Sequence, residues 1–188
     1  MVRIGVSGHR HLANPLAVSK RADEALRKIK ATFGNDVLTL ISPLAEGADQ
    51  VVAWRALAEY QVELVVPLPF DLPDYMDDFN SVSSQAEFIT LLEQAKEVIE
   101  LPNQDNRDAS YLAAGMYVLD HSDVLIAVWD GAPAQGRGGT AEIVAEARRR
   151  EMPIAWIQTE RGTKKAGHSI RLHYERFPPE SNKGESHL

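Results

Sequence analysis

Three glycines within four positions, in Gly136-Arg137-Gly138-Gly139-Thr140, follow the apolar run 124–129 and lead into a helical pattern carrying Glu142 in its first turn. Glycines at the start of a helix bare the first backbone N–H groups, so an anion such as phosphate could approach them closely; a tight turn could use the same residues. Glu142 there complements the helix dipole. Pointed at a sugar, it could accept from two hydroxyls or hold a water for attack at the anomeric carbon. Ser7-Gly8 offers a hydroxyl and an unobstructed N–H, and Arg10 two parallel N–H donors, against the plainer reading of a strand exit with a solvated cation. His9 and His11 read as surface residues or as a base. In Ser42-Pro43-Leu44-Ala45-Glu46-Gly47-Ala48-Asp49, Glu46 is a candidate for ligand contact, and Asp49 is either a helix cap or an orienter of a ligand site. Asp130 could orient a sugar hydroxyl or simply start its turn.

These loops need a scaffold that brings them together. Short apolar runs at Val2 to Val6, Val37 to Ile41, Val62 to Val66, Val98 to Leu101, Val124 to Trp129 and Ile154 to Ile157 alternate with helical patterns, which predicts an α/β fold with a mainly parallel sheet. Val18, Ala22, Leu26, Ile29 and Phe33 form one apolar helical stripe that Gly34-Asn35 ends. In open parallel sheets ligands bind beyond the carboxyl ends of the strands, where all three loops would converge. The segment Pro67 to Ser84 breaks the rhythm with prolines, aspartates and aromatics. It reads as a lid or as a decorated crossover with a short helix, and Phe70, Tyr75 and Phe79 could stack on a base.

Composition narrows the chemistry. The chain has 188 residues, 44% hydrophobic and 25% charged, which suits one globular domain over residues 1–158; the polar stretch 159–188 is expected to be a partly disordered extension. With Lys+Arg 20 against Asp+Glu 27 and a net charge of -7, nucleic acid is disfavoured as a partner, though a small anion could bind locally. There is no cysteine, hence no thiolate nucleophile or thiolate zinc site, and no His/Asp cluster calls for a metal. No apolar run approaches the roughly 18 residues of a membrane span, and the start MVRIGVSGHRHL is too quickly polar for a secretory signal, so a cytoplasmic location is the expectation. The glycine loop lacks the Lys-[Ser/Thr] of a P-loop and lies outside the first βα turn, where the dinucleotide fingerprint belongs. Hydride chemistry with NAD is unsupported and no cofactor is expected.

Taken together, Ser7-Gly8-His9-Arg10, Ser42 to Asp49 and Gly136 to Glu142 resemble the SLOG superfamily of Rossmann-like domains. That group includes the lonely-guy phosphoribohydrolases, the DNA-processing protein A family and nucleotide-sensing domains. The resemblance covers roughly Val2 to Ile157. It implies a Rossmann-like three-layer sandwich, a homo-oligomer, and a nucleotide or nucleotide-derived ligand held by Ser7, Gly8, Arg10, Glu46, Asp49, Asp130, Gly138, Gly139, Thr140 and Glu142. Two functions follow from one crevice: a sensor or regulatory module, or cleavage of the N-glycosidic bond of a nucleoside monophosphate with Glu142 as the catalytic carboxylate. Glu142 stands one residue earlier than the Glu of the phosphoribohydrolase motif Pro-Gly-Gly-x-Gly-Thr-x-x-Glu, whose leading Pro is absent here. Glu46 stands where the DNA-processing family has Arg.

Overall fold

A computed structural model describes residues 1–34, 37–133, 139–160 and 170–179. The elements run β1 (Val2–Gly8), α1 (Pro15–Phe33), β2 (Leu38–Ile41), α2 (Ala48–Glu59), β3 (Val62–Leu68), α3 (Leu72–Met76), α4 (Val82–Leu92), β4 (Glu97–Glu100), α5 (Arg107–Asp120), β5 (Val124–Trp129), α6 (Thr140–Arg149), β6 (Ile154–Gln158) and β7 (Arg171–Glu175). The seven strands form one sheet in the order β4-β3-β2-β1-β5-β6-β7. The first six are parallel, and β7 pairs antiparallel with β6. This is an α/β, Rossmann-like three-layer sandwich.

Side-chain alternation builds the two faces. Along β5, Val124, Ile126 and Val128 enter the larger apolar cluster with α1 and α2, while Leu125, Ala127 and Trp129 enter a second cluster with Ile143, Val144 and Ala147 of α6. A strand covered on both faces reads as an unbroken apolar run, which is why VLIAVW shows no polar alternation. The stripe predicted for α1 is its buried face: Val18, Ala22, Leu26 and Ile29 are fully buried. Asn14 caps that helix by accepting from the Ala17 N–H at 3.0 Å, with Pro15 in its first turn.

Of the two readings open for Pro67 to Ser84, a lid or a crossover with a short helix, the structure shows the second, and part of the polar stretch after residue 158 forms a strand. The stretch Pro67 to Ser84 carries α3 and is a crossover packed into the core. Phe70, Tyr75 and Phe79 are buried there, with Tyr75 in edge-to-face contact with Phe79 (5.4 Å) and Phe88 (5.6 Å). The apolar cost of exposing three rings outweighs any gain from loop freedom, so these rings are wall rather than lid. Within the stretch read as a polar extension, residues 171–175 form β7, and Phe177 packs edge-on against Phe33 at 5.4 Å. Polar residues conceal an edge strand because one of its sides faces water.

Candidate functional site

The chain order makes β1 the turning point of the sheet. From β1 the strands step outward to β4 on one side, then β5 returns to pair with β1 on the other. Loops leaving β1 and β5 must therefore diverge and leave a crevice at their carboxyl ends, the place where open α/β sheets bind ligands. A cavity of about 460 Å³ lies there, lined from β1 and its exit by Val6 to His11, from the β2 exit by Pro43, Ala45 and Asp49, and from α6 by Gly139, Thr140, Ala141 and Ile143. Tyr75, Asp78, Tyr111 and the α5 residues Ala114, Gly115 and Val118 complete its wall.

Backbone contacts lock the first two loops together. The His9 N–H donates to the Val128 carbonyl at 3.0 Å, and the Ala48 N–H at the start of α2 donates to the His9 carbonyl at 3.0 Å. The buried His9 ring accepts from the Asp130 N–H at 3.1 Å through Nε2, which also lies 3.2 Å from the Asp130 carboxylate. His9 is thus a brace across three loops, a role its sequence context did not suggest. A Cβ on Gly8 would lie 2.4 Å from that of Ala48, and one on Gly47 only 2.1 Å from the Arg10 carbonyl oxygen. Gly47 also holds φ 89°, a left-handed conformation that favours glycine. Both glycines are dictated by loop-to-loop packing.

Asp49 ties down the β2 exit from inside. Ser42 donates its hydroxyl to Asp49 Oδ2 at 3.1 Å and accepts from the Leu44 N–H at 3.1 Å, and the Ala45 N–H donates to the same carboxylate. Burial pushes the Asp49 carboxyl up to about 7, with the Ser42 and Ala45 bonds and the positive charge of Arg10 offsetting part of that rise. Arg10 lies with its guanidinium 4.8 Å from the Tyr111 ring centroid and donates to the Asp78 carbonyl at 3.5 Å. The Asp78 carboxylate accepts from the Tyr111 hydroxyl and, at 2.6 Å, from Arg107. Burial works against that charge, but the Tyr111 and Arg107 bonds prevail and hold Asp78 below the usual carboxylate range.

On the far side, α6 follows Gly139, an extended residue at its N-cap that has no side chain with which to cap the helix. Gly139, Thr140 and Ala141 line the cavity, which places the positive end of the helix dipole at its rim.

Of the residues singled out in the sequence, Ser7, Gly8, Arg10, Asp49, Gly139 and Thr140 line one cavity. Gly138, with Gly136 and Arg137, lies outside the described residues. Glu46 is bound by the Asn80 side chain at 2.6 Å and is not among the lining residues. Asp130 braces His9 and accepts from the Ala132 N–H at 3.0 Å, and Glu142 lies within α6; neither is among the lining residues. Tyr75, Asp78 and Tyr111 were not read as a polar wall. The signal available was the pairing of an aspartate with tyrosine in a connection too rich in aromatics to be a solvated loop, Asp74-Tyr75 to Asp78.

No family model and no curated protein matches the chain. Among solved structures, the X-ray structure of TM1055, a structural genomics target, superimposes with a TM-score of 0.49 at 16% identity, covering 82% of this chain and 72% of that one. Two structures of the molybdenum cofactor carrier protein of Chlamydomonas reinhardtii give TM-scores of 0.44 and 0.45 at 18% and 20% identity, each covering 85% of this chain and 77% of theirs. At these values the likeness says nothing of what this chain binds, and the site stands on its own geometry. No described helix is long and apolar enough to cross a membrane, and the described residues contain no cluster of three or more His, Asp or Glu that could hold a metal ion.

Proposed function

We propose that the protein is a SLOG-type module that binds a nucleotide or nucleotide-derived small molecule at the carboxyl edge of its sheet and acts as a sensor or regulator. The observation that carries this reading is the convergence of the β1 and β2 exits and the start of α6 on one cavity at the strand-order switch point. Its volume of about 460 Å³ falls within the roughly 300–1,000 Å³ usual for small-molecule sites. The phosphate goes to the rim made by Ser7, Arg10 and the start of α6, where a hydroxyl, a guanidinium and a helix dipole act in the same sense on an anion. Glycosidase chemistry would need Glu142 on the sugar, and its place off the cavity wall favours binding over cleavage.

A thermal-shift panel of AMP, GMP, CMP, UMP and ADP-ribose tests this. A ligand at about 100 times its Kd stabilises by about 2.7 kcal/mol, which for a domain of this size is roughly 5–11 °C in Tm. Absence of any shift at millimolar ligand refutes the reading. Chromatography of the same mixtures for free base separates binding, where none appears, from hydrolysis.

A further inference from the structure

We infer that Tyr75 and Asp49 form a hydroxyl-binding pole of this cavity, holding one sugar hydroxyl of the ligand between them; the inference rests on the nucleotide reading above.

Tyr75 is 1% exposed, and its hydroxyl is buried without a hydrogen-bond partner. The ring is fixed by Phe79, Phe88 and Phe70, contacts that a phenylalanine would make equally well. A buried hydroxyl left unpaired is costly, so a phenol kept where only its ring packs needs a partner that arrives with something else. Tyr75 lines the cavity, and so does Asp49. Burial first, then the negative charge of ionised Asp49, holds the phenol well above its ordinary value, so it stays protonated and can donate. Yet no direct hydrogen bond joins them.

The group that fits between a phenol donor and a carboxyl acceptor is one that both accepts and donates. A sugar hydroxyl does so, accepting from Tyr75 while donating to Asp49. The Asp49 carboxylate, already receiving Ser42 and Ala45, keeps acceptor sites beyond those two bonds. A phosphate there would face a buried carboxylate, whereas at the Ser7 and α6 rim it meets donors. The other carboxylates first considered for the sugar, Asp130 and Glu142, are not among the lining residues, and Asp78 is engaged by Tyr111 and Arg107. Asp49 is left as the carboxyl that can serve a sugar, with Tyr75 as its counterpart.

The test titrates wild type and Tyr75→Phe with AMP, 2′-deoxy-AMP, 3′-deoxy-AMP and inorganic phosphate by calorimetry, beside urea denaturation of both proteins. Tyr75→Phe is expected to be at least as stable as wild type while binding AMP three- to tenfold more weakly, the range for one neutral hydrogen bond, with phosphate affinity unchanged. One of the two deoxy analogues should show the same loss in wild type and no further loss in the variant, because the hydroxyl and the phenol are two ends of one bond. Equal AMP affinity in both proteins, or equal extra losses with both deoxy analogues in the variant, overturns the inference and leaves the nucleotide reading intact. A variant less stable than wild type also overturns it, since the hydroxyl then had a structural partner. Failure of wild type to bind AMP or any nucleotide of the panel removes both readings together.

Discussion

Replacing Asp49 by Asn should change the shape of the stability curve against pH, and the structure gives the size. The carboxyl is shifted from 3.8 to about 7 by burial, roughly three units, and each unit corresponds to about 1.36 kcal/mol, so close to 4 kcal/mol is at stake. The native state keeps the proton up to about pH 7, while the unfolded chain loses it near 3.8. Between those values the native state binds more protons, so stability falls as pH rises from about 4 to about 7 and is level with respect to this group above that. Asp23, Asp78 and Asp123 have lowered values, and their contribution is lost only as pH falls below the ordinary carboxylate range, so the two windows separate. Asn cannot ionise, and Asp49→Asn abolishes the slope from this site. It has a cost of its own even against the protonated carboxyl, because the amide brings two N–H donors where the acid has one O–H, and an unpaired donor in the buried niche costs about 1–3 kcal/mol. The curves of the two proteins should therefore cross: the variant is weaker by that amount near pH 4 and stronger by roughly 1–3 kcal/mol at pH 8. Urea denaturation from pH 4 to 8, with m-values checked for constancy, measures this directly. Parallel curves would show that Asp49 ionises normally, and the enclosed niche described for it would be wrong.

The remaining predictions concern the ligand rim and the wall. Gly139→Ala should fold normally, because its φ of -86° suits any residue and nothing lies within 4 Å of the added carbon, yet bind phosphate-bearing ligands more weakly; wild-type affinity in a stable variant would return this turn to a purely structural role. Arg10→Ala should weaken nucleotides by about 1.5–3 kcal/mol and their nucleosides far less, and equal losses in calorimetry would remove Arg10 from the phosphate. Phe79→Ala should cost about 3–5 kcal/mol in urea denaturation, since the ring is buried against Tyr75 and Phe88; a loss below about 1 kcal/mol would mean that the segment is a loose cover after all.

The fold was legible because its signals are local and periodic. Six apolar runs marked β1 to β6 to within a residue or two at most ends, and the α1 stripe marked its buried face. β7 was not legible, since an edge strand with polar residues on one side has no run to show. In the site, Ser7, Arg10 and Thr140 could be placed by asking which residues follow strands. The carboxylates could not be sorted that way. Glu46, Asp49, Asp130 and Glu142 all follow strands or open helices, but which one turns inward depends on contacts between loops distant in sequence: Asn80 takes Glu46, His9 takes Asp130, and Ser42 draws Asp49 under the loop. Tyr75 carried an aromatic signal that suited stacking, and only the fold shows that its ring is buried beside Phe79 and Phe88 with its hydroxyl unpartnered.

The glycines around the cavity separate by what a side chain would meet. At Gly8 and Gly47 it would strike Ala48 or the Arg10 backbone, and at Gly115 the Ile143 side chain at 2.3 Å, so these residues let strand, loop and helix close on one another. At Gly139 it would meet no described atom within 4 Å at the start of α6. Packing explains the first group completely and the last one not at all. A helix start with a glycine at its cap, no packing demand for that glycine among the described residues, and a place on the cavity wall is where the proposed reading puts an anion. The loops on the β1 and β2 side hold each other through His9, Ala48 and Gly47, so that half of the cavity is rigid before any ligand arrives. In the proposed reading the ligand sits between that half and the start of α6. In the proposed reading the binding energy comes from Ser7, Arg10 and the start of α6 and from the unpartnered Tyr75 hydroxyl, rather than from reshaping the sheet edge.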